Sequence, residues 1–246
     1  MTNMLEQAGH KNLEVLEEVP LFAHVDRKKL ALIASSITKK KFKKGETIIQ
    51  TTAEPGCLYV ICSGIVKLVD ITEDGHEQIL DIRKKGDLLG EASIFDGESA
   101  HLVIALTPCE ISRVPKANFE AFILEDIQAL RQLTLALCSK LREAWSQLQM
   151  IQLSDAEQKI RAALNLIASQ YGEKTSSGIW ITIRLTQSDI AAYTGLTQET
   201  VSKAINKLTN KGEIRRNNKK QILLKPGFFH KKDRSFCKKP WQPPEN

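Results

Sequence analysis

Gln198, Glu199, Ser202 and Lys203 fall on one outer face near the start of a single amphipathic segment. An amide, a carboxylate, a hydroxyl and an ammonium within two helical turns can answer the donors and acceptors of a DNA base edge. The segment is Leu185-Thr-Gln-Ser-Asp-Ile-Ala-Ala-Tyr-Thr-Gly195-Leu-Thr-Gln-Glu-Thr-Val-Ser-Lys-Ala-Ile205-Asn-Lys-Leu208, which reads as two short helices joined at a glycine. Thr186 and Asp189 form an N-terminal signature close to a capping box. Ile190 and Ala191 face inward, and the small alanine leaves room for the second helix. Gly195 supplies the tight turn, where a positive φ is cheap. Thr197 caps the second helix, and Val201, Ile205 and Leu208 are its buried stripe. The spacing predicts a helix-turn-helix whose second helix presents its N-terminal outer face to a major groove.

The elements that must hold this pair are legible around it. Gly212 to Leu224 reads as strand, Asn-Asn turn, strand, a basic β-wing in which Arg215, Arg216, Lys219 and Lys220 are candidate phosphate contacts. The chain has 246 residues and a formal charge of +6, but the excess is local. Residues 211–246 hold 11 Lys+Arg against 3 Asp+Glu, whereas residues 1–210 hold 24 against 26. That is the distribution a phosphate-binding surface requires. Residues 229–246 read as a basic flexible tail.

With 42% hydrophobic residues the chain can bury a sizeable core. No run approaches 18 apolar residues, so no membrane span is expected. Met1 to Pro20 lacks a signal-peptide apolar region. Cys57, Cys62, Cys109, Cys138 and Cys237 are scattered without zinc spacing, and no metal site is expected. Reduced thiols in a cytoplasmic protein are the simplest account. Cys62, Cys109 and Cys138 are expected to be buried, and Cys237, beside Lys238 and Lys239, to carry the most activated thiol.

Residues 1–30 are expected to be helical. From 40 to 114, short apolar segments alternate with glycines, which implies an antiparallel β-unit, a small barrel or roll. Its strands are expected at Glu46–Ile49, Leu58–Ile61, Ile65–Ile71, Gln78–Ile82, Val103–Leu106 and Glu110–Val114, with Glu73-Asp-Gly-His76 a hairpin tip. The period then becomes helical from Asp126 to Leu153. Leu130, Thr134, Leu137, Leu141, Ala144, Leu148 and Ile151 recur at spacings of four and three, the seam of a coiled-coil pairing. A paired helix implies a parallel homodimer and a two-fold-symmetric DNA site. Asp155 is an N-cap for a further helix, with a hinge at Leu153–Asp155.

A β-roll, a long dimer helix and a winged helix in this order resemble the cyclic-AMP receptor protein and fumarate/nitrate reduction regulator family. The resemblance covers roughly residues 18–228. It is carried by Lys44-Gly45-Glu46, Leu58-Tyr-Val-Ile-Cys-Ser-Gly64, Gly86-Asp-Leu-Leu-Gly-Glu91 and the helix-turn-helix. It implies an α+β chain with four parts: residues 1–116, N-terminal helices and a cyclic-nucleotide-binding-like β-roll sensor; 117–153, with the dimerisation helix; 154–228, the winged helix-turn-helix; and 229–246, the tail. It also implies a dimeric transcription regulator acting with RNA polymerase on an inverted repeat in double-stranded DNA, under a small effector. By resemblance, Glu199 accepts from a cytosine amino group, Lys203 approaches a guanine edge and Ser202 faces a thymine, in a palindrome related to TTGA-N6-TCAA.

The effector site departs from the family pattern. Gly90 and Glu91 match the pair that binds ribose in the cyclic-AMP branch. The phosphate-binding Arg-Ser pair is replaced by Ser99, Ala100 or His101. A buried cyclic phosphate without a guanidinium keeps its desolvation cost, so cyclic AMP is not expected. Ala144 and Trp145 replace the residues that hold adenine, and Arg142 with Trp145 is the candidate pair for a planar or carboxylated molecule between roll and dimer helix. The alternative is that Trp145 fills the vacated pocket and Arg142 is solvated. No cysteine precedes Cys57, so the family's N-terminal iron–sulfur ligation is not supported. A thiol- or haem-based redox or gas sensor of the same fold is the second reading, with His76 and His101 as haem candidates. A regulatory module that binds a small ligand without DNA is the rival from another class. Nucleophile triads and phosphate loops of enzymes are missing from the sequence.

Overall fold

The structure is a computed structural model and describes residues 13–14, 16–23, 25–50, 56–95, 101–121, 125–218 and 221–229. The chain divides into two compact units, Met1–Ile71 with Leu80–Cys138, and Thr72–Ile79 with Ser139–Asn246.

The first unit opens with a 3-10 turn at Pro20–Phe22 and helix α1 (Arg27–Ser36). Residues 1–12 of the expected helical stretch lie outside the described residues; the described part is helical in pieces. Val19, before Pro20, takes an extended conformation, as a residue preceding proline must, and Asp26 starts α1 afresh by accepting from the backbone N–H groups of Lys28 and Lys29. Eight strands follow: β1 (Thr38–Phe42), β2 (Thr47–Ile49), β3 (Cys57–Ser63), β4 (Ile65–Ile71), β5 (Glu77–Lys84), β6 (Leu88–Leu89), β7 (Leu102–Ala105) and β8 (Cys109–Pro115). They form two four-stranded sheets, β1-β8-β3-β6 and β2-β7-β4-β5. All six expected strands are present. Strands β1 and β6 were hidden, β1 because four of its five residues are polar and only Phe42 turns inward.

Alternation along β3 positions two cores. Ile61 joins Phe42, Ile49, Val66, Leu68, Leu89, Val103 and Ile111 between the sheets. Leu58 and Val60 turn the other way and pack with Leu30, Ile33, Phe119, Ala129 and Leu133. Helix α2 (Glu91–Phe95) and helix α3 (Lys116–Phe119) are short. Helix α4 (Ile127–Ile151) is begun by Asp126, whose Oδ1 accepts from Gln128 N and Ala129 N.

Ala129 and Leu133 commit one face of α4 to the first core. The adjoining face is apolar and open: Leu137, Leu141, Trp145, Leu148 and Ile151 are 37–57% exposed. Thr134 and Ala144 are exposed and Leu130 is half-buried. Trp145 is 55% exposed on the single chain. Cys57, Cys62 and Cys109 are buried, but Cys138 is exposed, against expectation. It projects from the open side of α4, away from Ala129 and Leu133.

The second unit runs through helix α5 (Ala156–Tyr171), β9 (Gly172–Thr175), β10 (Gly178–Ile181), helix α6 (Gln187–Thr194), helix α7 (Gln198–Asn210), β11 (Ile214–Arg216) and β12 (Ile222–Leu224). Asp155 caps α5, accepting from Gln158 N. The wing is not a lone hairpin. β12 pairs with β11 on one side and with β10 on the other, giving a four-stranded sheet ordered β11-β12-β10-β9. The ladder also continues past the expected Asn-Asn turn: Asn217 N donates to Gln221 O, and its side chain bonds Gln221.

Gly64 tests the roll. Its φ is +87°, and a Cβ there would stand 2.3 Å from the Pro108 carbonyl oxygen. Gly64→Ala is expected to destabilise the chain by at least about 2 kcal/mol, read from urea unfolding followed by far-ultraviolet circular dichroism.

Candidate nucleic-acid interface

The helix-turn-helix forms by local rules. Thr186 Oγ1 accepts from Asp189 N at 3.0 Å, and the Asp189 carboxylate accepts from Thr186 N at 2.9 Å, closing a capping box. Gly195 ends α6 in the left-handed conformation, with φ +67°. Thr197 caps α7 by accepting from Thr200 N. Val201, Ile205 and Leu208 are fully buried, as is Ile190 of α6. This leaves Thr197, Gln198, Glu199 and Lys203 exposed, and Ser202 half-buried.

Two contacts on this face escaped the sequence reading. Glu199 and Lys203 form an i,i+4 ion pair at 2.6 Å, each 76% exposed. Such a pair is worth only about 0.5 kcal/mol, so neither group is locked away from a base. Gln187 Nε2 donates to Ser202 Oγ at 3.3 Å, which ties the first residue of α6 to the reading face. The Thr186–Asp189 signature placed Gln187 at a helix start, but its reach to Ser202 depends on the fold.

Arg215 and Arg216 lie exposed on β11. Lys219, Lys220 and Cys237 are outside the described residues. Behind the reading helix sits an ion network. The Glu157 carboxylate accepts from Lys207 and Lys211, each at 2.7 Å, and from Arg161 at 3.1 Å. Arg161 also pairs with Glu213, donates to the Phe228 carbonyl at 3.3 Å and stacks on the Phe228 ring. Hydrogen bonds from Lys207 and Lys211, and less so from Arg161, outweigh the opposing effect of burial and hold Glu157 down to about 2.

In the first unit, Gly90 has φ +79°, and a Cβ there would meet the Cys57 carbonyl oxygen at 2.8 Å. Glu91 opens α2 and its carboxylate receives Arg83 Nη1 at 2.7 Å. Arg83 is buried, and its Nε donates to Asp81 at 2.8 Å. Burial opposes its charge, but Glu91 and Asp81 more than compensate and raise its pKa. The alternation Asp81-x-Arg83 in an apolar strand was the signal for this cluster. His101, Arg142 and His76 are exposed, and Ser99 and Ala100 lie outside the described residues. Burial pushes the Cys62 and Cys109 thiols up, which leaves them less nucleophilic. Among the described residues, no three His, Cys, Asp or Glu side chains group as metal ligands, and no helix is long and apolar enough to cross a membrane.

A β-roll unit and a winged helix-turn-helix define a class of sensor-bearing DNA-binding proteins. Residues 39–126 match the cyclic nucleotide-binding domain and residues 158–226 the Crp-like helix-turn-helix domain. The chain is 30% identical to the fumarate and nitrate reduction regulatory protein of Salmonella typhi, over 72% of this chain and 70% of that one. It is 28% identical to a CRP-like cAMP-activated global transcriptional regulator of Mycobacterium tuberculosis, over 85% and 94%. FixK2 from Bradyrhizobium japonicum shares the fold with a TM-score of 0.67, at 23% identity over 76% of this chain and 92% of that one. The chain belongs to the cyclic-AMP receptor protein and fumarate/nitrate reduction regulator family and is a DNA-binding transcription regulator, in a family of regulators rather than enzymes.

Glu157 makes the chain's stability pH-dependent. Its carboxyl sits at about 2 when folded, against an ordinary 4.5, so its contribution is complete above pH 4.5 and is lost as pH falls toward 2. Allowing for water-facing lysines, the loss is about 2 kcal/mol. Unfolding free energies measured at pH 6 and pH 3 should differ more in the parent chain than in Glu157→Gln.

Proposed function

We propose that two copies pair along the open face of α4 and read an inverted repeat in double-stranded DNA. The observation that carries this is the orientation of α7: its apolar stripe is fully buried, and Gln198, Glu199 and Lys203 are turned outward at its capped N-terminus. Glu199 accepts from a cytosine amino group and Lys203 approaches a guanine edge. Lysine lacks the planar fork of arginine, so discrimination at that base is softer. Ser202 meets a thymine, with Thr197 and Gln198 flanking. Arg215, Arg216, Lys219 and Lys220 grip phosphates and position rather than specify.

Leu130, Leu137, Leu141, Ala144, Leu148 and Ile151 form the seam between the copies. Their 3–4 spacing and open apolar face support the pairing. RNA polymerase is the partner at promoters, and Leu153–Asp155 is the hinge between the sensor and reading parts. The protein works in the cytoplasm.

A small effector other than cyclic AMP governs the sensor around Gly90 and Glu91. The Mycobacterium tuberculosis relative is named for activation by cyclic AMP. The residues here do not fit that nucleotide: the Glu91 carboxylate is already engaged by Arg83, and Ser99, Ala100 and His101 offer no guanidinium.

Selection from random duplexes should yield an inverted repeat, and a chain that enriches none would overturn the reading. Glu199→Ala should relax the preference at one base pair of each half-site, by about 1–3 kcal/mol. Lys219→Ala should weaken all sequences alike and lower the slope of log affinity against log salt by about 1. Leu141→Lys should give a monomer by analytical ultracentrifugation, while the parent chain sediments as a dimer.

A further inference from the structure

We propose that Glu157 is a positioning residue for DNA reading, which fixes the angle of α7 by clamping its C-terminal turn through Lys207 and Lys211. The inference rests on the DNA-binding reading of α7 and adds a residue on another helix that serves it. Glu157 is the second residue of α5, far in sequence from the reading face. Its Oε2 holds Lys207 Nζ and its Oε1 holds Lys211 Nζ. Lys207 stands in the last turn of α7, and Lys211 is its C-cap.

The clamp is itself anchored. Arg161, one turn along α5, bonds Glu157 on one side and Glu213 on the other. Glu213 lies between α7 and β11, and its carbonyl accepts from Lys225 N just after β12. Arg161 also holds the Phe228 carbonyl. One buried guanidinium and one nearly buried carboxylate thus join the start of α5, the end of α7 and both ends of the wing. The side chains of Glu157, Arg161 and Glu213 are 8–16% exposed, whereas those of Lys207 and Lys211 are 62% and 42% exposed. The rigid part is therefore the anchor, and the lysines are the grips.

The clamp acts over a lever. From Lys207 to Glu199 the helix runs about 12 Å, at ~1.5 Å per residue. A tilt of about 10° at the clamped end would move Glu199 by about 2 Å, more than the tolerance of a base-edge hydrogen bond. Phosphate contacts, made by long flexible side chains to a repeating backbone, tolerate such a shift. Loss of the clamp should therefore degrade choice of sequence more than grip on DNA.

The test compares the full chain with Glu157→Gln and with the double variant Lys207→Gln, Lys211→Gln, whose grips are solvent-facing. Dissociation constants are measured for the selected inverted repeat and for a scrambled duplex over a series of salt concentrations, the two duplexes being compared at each one, alongside thermal melting. Both variants should lower the specific-to-scrambled ratio roughly tenfold, the cost of about one base contact, with scrambled binding within about threefold of the parent. Equal weakening on both duplexes, with the ratio unchanged, would mean that the network serves folding alone and would overturn the proposal. So would a double variant whose salt slope falls by about 2, since the lysines would then be phosphate contacts. A parent chain without sequence preference would fail the DNA-binding reading itself, and this inference with it, before any variant is made.

Discussion

Burial of Val201, Ile205 and Leu208 is the constraint on which the reading surface depends. A helix of 13 residues cannot hide that stripe without turning the opposite side outward, so the apolar positions choose the polar residues that meet solvent. The capped ends of α6 and α7 set where each helix begins, and Gly195 lets the chain reverse between them. Shifting the stripe by one residue would rotate Glu199 and Lys203 by about 100° and spoil the face, whatever their own chemistry.

The helix-turn-helix was legible in the sequence because its determinants are local. Thr186, Asp189, Gly195 and Thr197 each act within four residues, and each takes the expected conformation. The strands of the roll were legible where apolar residues clustered between glycines. They were not where an edge strand is mostly lysine, as in β1. β9 and β10 were missed for a related reason, since β9 is solvent-exposed throughout and has no apolar rhythm.

What sequence spacing did not reveal is pairing at a distance. Arg83 meets Glu91 across a strand and a turn, and Arg161 meets Glu213 across 52 residues. No period links such partners, and charges set among apolar residues, as at Asp81 and Arg83, are their trace. Cys138 went wrong because a helical stretch was assumed to bury its small thiol. The apolar surface of α4 is wider than the part covered among the described residues, and the cysteine lies beside the uncovered part. The two arginine clusters differ in reach: Arg83 satisfies the Glu91 carboxylate within the roll, and Arg161 ties the start of α5 to Glu213, ahead of β11.

The second-unit sheet has a property that concerns crowding rather than recognition. Its apolar strand β12, buried at all three positions, lies inside, bonded on both sides. The two borders are short: β11 has three residues, two of them arginines, and β9 has four exposed residues that include Glu173 and Lys174. A border so brief and so charged offers little template for a foreign strand. Copies of the unit therefore meet few backbone groups through which their sheets could join edge to edge.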